Sequence, residues 1–148
     1  MAHHLLFVCT ANICRSPMAE GLAASIGQQY GRRIEARSRS IRSFKGAPAA
    51  TNAIKVMKEI GIDISQHRSQ RVRQEDLEWA DYVLVMAPKH AIFLREKYPH
   101  AEHKILQLGT FGGLLEIPDP VGKWKFTFRR IRRTIEKCMN RFISQIPR

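Results

Sequence analysis

A chain of 148 residues, 44% of them hydrophobic, suffices for one globular domain spanning residues 1–148 with a sizeable core. Its net charge of +12 admits a polyanion, a membrane surface or acidic substrate proteins as partners without choosing among them. Three cysteines, an odd number, argue for reduced thiols over a disulfide framework. The longest apolar run, around Leu5 to Cys9, is too short to span a bilayer, and with neither a basic n-region nor a cleavage site at the start, the expectation is a cytoplasmic protein.

Taken in order, Leu5 to Val8 reads as a buried strand and Ser16-Pro17 as the N-cap and first residue of a helix, which leaves Cys9 to Arg15 as the turn between them. Met18, Leu22, Ile26 and Tyr30 recur at helical spacing, and Gly31 stops that helix. Arg33 to Ser38 alternates weakly as a strand, followed by a polar loop from Ser38 to Pro48. Ala50 to Ile60 is predicted helical, with Ala53, Ile54, Met57 and Ile60 on its buried face and Gly61 at its end. Tyr82 to Met86 is a continuous apolar segment, which marks a central strand buried on both faces and paired in parallel. A helix from Lys89 to Tyr98 and a fourth strand from Lys104 to Leu108 follow. Trp124 to Ile146 is an amphipathic helix that buries Phe128, Ile131, Ile135, Cys138 or Met139, and Phe142, with its arginines mostly on the solvent face. Strands alternating with helices imply an α/β fold, a doubly wound parallel sheet with helices on both faces and its site at the carboxyl ends of the strands. Cys9 falls at such an end.

A strand-loop-helix of this kind cradles anions, because the backbone N–H groups of residues 10–15 turn inward and the helix dipole adds to them. Cys9 and Arg15 give the cradle its chemistry. The amides, the helix start and the guanidinium all favour the Cys9 thiolate as nucleophile. The planar fork of Arg15 can grip two phosphate oxygens at once, and the Ser16 hydroxyl is placed to donate to the sulfur. Ile117-Pro118-Asp119-Pro120-Val121-Gly122 holds one carboxylate between two prolines, with a glycine to let the loop bend back. Asp119 is the candidate general acid, a role that contributes ~10²- to 10⁴-fold, and then the base toward water. Cys14, five residues beyond Cys9, is a candidate partner for a redox disulfide. Cys138 reads as core filling.

The run Val8-Cys9-Thr10-Ala11-Asn12-Ile13-Cys14-Arg15-Ser16-Pro17 resembles the signature of the low-molecular-weight protein tyrosine phosphatases. The resemblance covers almost the whole chain and implies a four-stranded parallel sheet and phosphotyrosine hydrolysis through a phosphocysteine on Cys9, without metal or cofactor. It implies a phosphate cradle of Thr10, Ala11, Asn12, Ile13, Cys14 and Arg15, loop support from Asn12, Ser16, Ser38 and His67, and the late Asp-Pro aspartate at Asp119. Ile13, Phe44 and Val121 become the walls of the substrate cleft. Expected partners are phosphotyrosine proteins or peptides and inorganic phosphate, with no nucleic acid or membrane.

The chain departs from that family pattern at a few positions. Ala11 stands where glycine is usual, Arg39-Ser40 replace Ala-Gly, Ala87 replaces a polar or acidic residue, and Val121 and Gly122 replace aromatics. Ile13 occupies the position at which phosphoarginine-specific members carry threonine. The alternatives are a protein-arginine phosphatase, an arsenate-reductase-like oxidoreductase, whose relay cysteines residues 87–104 do not contain, and an idle polyanion-binding module.

Overall fold

The computed structural model describes residues 1–42 and 46–148. Four strands, β1 (His3–Cys9), β2 (Ile34–Ser40), β3 (Tyr82–Val85) and β4 (Ile105–Gln107), form one sheet in the order β2-β1-β3-β4. Every pairing is parallel, as the continuous apolar runs of β1 and β3 predict. Among the described residues five α-helices surround it: α1 (Arg15–Gln29), α2 (Thr51–Lys58), α3 (Gln74–Trp79), α4 (Pro88–Lys97) and α5 (Lys125–Gln145).

Because side chains alternate along a strand, the sheet feeds two cores. Leu5, Phe7 and Leu84 pack with Met18 and Leu22 of α1 and with Ile135 and Phe142 of α5. Leu6, Val8, Val83 and Val85 pack on the other face with Leu77 of α3 and with Ala91 and Leu94 of α4. The sheet is therefore doubly wound, as expected. Among the described residues no helix is long and apolar enough to cross a membrane.

Several expectations require correction. α1 begins at Arg15 with Cys14 at the N-cap, so Ser16 is not the cap; its hydroxyl is engaged in the preceding loop instead. In α2 the buried face uses Val56 with Ala53 and Met57, while Ile60 lies beyond the helix end and is partly exposed. Arg132 is buried: its guanidinium reaches the carbonyl of Val56 and the carboxylates of Glu59 and Glu136. The short helix α3 has no apolar periodicity and is absent from the sequence reading. It is held by Asp76, which accepts the Arg73 N–H at 3.0 Å and pairs with Arg37 and Arg39 at 3.3 and 3.1 Å.

Those last pairs give Arg39-Ser40 a purpose. Arg39 anchors α3, and Ser40 binds the passing 70–72 segment, donating its N–H to the Gln70 carbonyl (2.8 Å) and accepting the Val72 N–H (2.8 Å). Gln70 is thereby set beside the loop that follows β1.

Candidate active site

The turn after β1 bends back sharply at Asn12, which is fully buried and left-handed at φ 59°. Asparagine is one of the few residues that visits this region readily, and here both ends of its side-chain amide are engaged. The Gln70 N–H donates to Asn12 Oδ1 at 3.0 Å, which fixes the amide orientation. Asn12 Nδ2 must then donate to Ser16 Oγ, 2.8 Å away. Ser16 is left with its own proton to give, and Cys9 Sγ lies 2.9 Å from it. These three directional hydrogen bonds form a relay whose last member, the Ser16 hydroxyl, donates to the sulfur. The Asn12 carbonyl faces His67 Nε2 at 2.6 Å, which braces the same turn from outside.

Arg15 is the first residue of α1 and only 2% exposed. Its Nη1 donates to the Ile117 carbonyl at 3.0 Å, and Nη2 lies 3.5 Å from both Thr10 Oγ1 and Asp119 Oδ2. Ile117 is itself tied to the sheet, since its N–H donates to the carbonyl of Met86 at 2.8 Å. The Asp-Pro loop is thus set at the end of β3. Within it, Asp119 Oδ1 accepts the Val121 N–H at 3.1 Å, and Gly122 takes φ 74°, the bend that glycine permits.

These groups enclose a cleft of about 290 Å³ lined by Cys9, Thr10, Ala11, Ile13, Cys14, Arg15, Asp119 and Val121, with Arg42 and Lys89. Burial, then the charges of Asp119 and Cys9, pushes the Cys14 thiol up to about 12, so Cys14 stays a neutral thiol at neutral pH.

Most of the predicted site residues converge here. Ser38 does not: its hydroxyl donates to Glu20 on α1, because Ser38 faces Phe7 in the ladder, two residues before the strand end. Phe44 lies outside the described residues. Val121 lines the cleft but is half exposed. Sequence reasoning missed Gln70, Arg42, Lys89 and His90. Of these only His90 carried a signal, being the histidine that closely follows a strand end in a parallel sheet.

The family described as low molecular weight phosphotyrosine protein phosphatase matches residues 4–148. The chain is 34% identical to a protein-arginine-phosphatase of Geobacillus stearothermophilus, covering 99% of this chain and 97% of that one. It is 35% identical to the low molecular weight protein-tyrosine-phosphatase Ptp of Acinetobacter johnsonii over 92% of each. Among solved structures, the low molecular weight protein tyrosine phosphatase from T. tengcongensis superposes with a TM-score of 0.91 at 38% identity, covering 97% of this chain and 99% of that one.

Proposed function

The chain belongs to the low molecular weight phosphotyrosine protein phosphatase family, and on that footing we propose that it hydrolyses phosphotyrosine in proteins or peptides through a phosphocysteine on Cys9. The observation that carries this reading is the convergence of Cys9, Arg15 and Asp119 on one cleft, with a hydroxyl aimed at the sulfur.

In the first step Cys9 Sγ attacks phosphorus as the bond to the ester oxygen breaks. Arg15 and the loop amides hold the equatorial oxygens, whose geometry the guanidinium fork matches. Asp119 gives its proton to the departing oxygen, which leaves as a phenol. In the second step the same carboxylate, now ionised, takes a proton from water as the water oxygen attacks phosphorus. The S–P bond breaks, Ser16 stabilises the returning thiolate, and inorganic phosphate is released.

Cleft depth supports a long phosphorylated side chain over phosphoserine, and one wall of the cleft supports tyrosine over arginine. The nucleophile lies at the bottom of a cleft, 2% exposed, so a long side chain is needed to reach it. Ile13 presents a branched apolar wall, suited to a phenyl ring, at the position where the family resemblance implies threonine in phosphoarginine-specific members. Val121 in place of an aromatic forfeits about 0.5–1.5 kcal/mol of ring contact, so selectivity is expected to be modest.

The test compares kcat/KM for phosphotyrosine, phosphoserine and phosphoarginine peptides in the wild type and in Ile13→Thr, with Cys9→Ser as the blank and a chelator present. Phosphotyrosine should lead, and Ile13→Thr should narrow its lead over phosphoarginine. A wild type that prefers phosphoarginine would reassign the substrate. One inert toward all three would remove the enzymatic reading, and loss of activity on chelation would remove the metal-free mechanism.

A further inference from the structure

One buried titratable group beside the cleft has no part in the chemistry above. His90 is fully buried in the first turn of α4. Its Nδ1 lies 3.1 Å from the backbone N–H of Ala87, a group that can only donate, so Nδ1 must be the bare acceptor nitrogen. The ring proton therefore sits on Nε2, which faces Thr10 Oγ1 at 2.9 Å. Burial first, then the Arg15 and Lys89 cations, push this imidazole down to about 3, so the ring is neutral wherever the protein is folded and working.

Thr10 Oγ1 accordingly receives a proton from His90 and cannot hand its own back. Arg15 Nη2, also an obligate donor, approaches the same oxygen at 3.5 Å. With both lone pairs facing donors, the Thr10 hydroxyl has only a proton left to offer, and Thr10 lines the cleft beside Cys9 and Arg15.

We propose that His90 is a positioning residue for oxyanion binding: it sets the Thr10 hydroxyl as an added donor to a phosphoryl oxygen and steadies the Arg15 guanidinium beside it. The arrangement mirrors the chain from Gln70 through Asn12 to Ser16, which delivers a hydroxyl to the sulfur. The inference rests on the phosphatase reading of the cleft and is indifferent to whether tyrosine or arginine carries the phosphate. A histidine that served only to cap α4 would need Nδ1 and have no use for Nε2.

The two nitrogens can be separated by substitution. His90→Asn offers an acceptor near the Ala87 N–H but nothing that reaches Thr10, whereas His90→Gln extends a donor toward it. Thr10→Val removes the hydroxyl and Thr10→Ser keeps it. Calorimetric titration with inorganic phosphate reads binding directly. His90→Asn and Thr10→Val should each weaken it about 3- to 10-fold, the scale of one lost hydrogen bond. KM for an aryl phosphate should rise in step while kcat changes less, and His90→Gln and Thr10→Ser should recover most of the loss. The double variant should be no worse than Thr10→Val alone.

Thr10→Val with wild-type phosphate affinity, or single losses that multiply in the double variant, would overturn the proposal. Should His90→Asn fail to fold, ¹H–¹⁵N spectra of the wild-type histidine decide: an Nδ1–H tautomer, or a charged ring at pH 6, is incompatible with it, and a neutral Nε2–H ring supports it. A wild type that binds no phosphate would defeat the reading of the cleft itself and this inference with it.

Discussion

Arg15 Nη2 stands 3.5 Å from Asp119 Oδ2, so the cation proposed to grip phosphate and the carboxylate proposed to move protons are in contact across the cleft. Asp119 is 41% exposed, which keeps this pair weak, on the order of 0.2–1 kcal/mol. An arriving phosphate must share Nη2 with that carboxylate.

Asp119→Asn should therefore separate binding from chemistry. Turnover should fall most for esters with poor leaving groups, because good leaving groups need little protonation. Inorganic phosphate should bind as well as to the wild type or up to about 5-fold more tightly, since a competing charge is gone. A leaving-group series read alongside inhibition by phosphate checks both, and an equal rate loss across the series would remove Asp119 from the acid role.

Mild peroxide should inactivate the enzyme reversibly. The Cys9 thiolate is oxidised to a sulfenic acid and the peroxide reduced to hydroxide; Cys14 then attacks that sulfur, expelling hydroxide and forming a disulfide. With Cys14 held at about 12, its thiolate is scarce at neutral pH, so the disulfide should form slowly there and about tenfold faster for each pH unit gained. Mass spectrometry of quenched samples gives the rate. If Cys14→Ser regains activity after thiol treatment as fully as the wild type, Cys14 affords no protection.

The acid limb of stability should owe much to Glu59, just past the end of α2. The Arg129 fork grips both its oxygens at 2.9 and 2.6 Å, with Arg132 at 3.1 Å and Lys125 at 3.8 Å. The Arg129 hydrogen bonds chiefly hold this carboxyl down at about 2, against 4.5 for an ordinary glutamate. The folded state thus resists a proton that the unfolded chain accepts, so this contribution is complete above about pH 4.5 and lost as pH falls toward 2. Glu59→Gln should flatten the fall of Tm between those values, and added salt should have the same effect. An acid limb identical to that of the wild type would show that Glu59 adds nothing.

Elements defined by burial periodicity were legible in the sequence: β1, β3 and the apolar stripe of α5 stand where the pattern puts them. Elements defined by ionic partners were not. α3 depends on Asp76 meeting Arg37 and Arg39, and Arg132 is buried because Glu59, Glu136 and the Val56 carbonyl happen to await it. The same division runs through the site. The Cys9 loop is local and its motif names Arg15, Asn12 and Ser16. Ser38 was misjudged because the strand register turns it toward Glu20. Gln70 contributes a backbone N–H, which no side-chain pattern can reveal.

The guanidinium of Arg15 is held by a carbonyl 102 residues further along the chain, and the turn at Asn12 waits for His67 and Gln70, 55 and 58 residues on. During synthesis Cys9 leaves the ribosome before the groups that surround it, which follow in stages. A nascent chain thus carries Cys9 without these partners until Ile117 has emerged. Phosphatase activity, and with it the sensitivity of that sulfur to oxidants, switches on only when the sheet has closed around it.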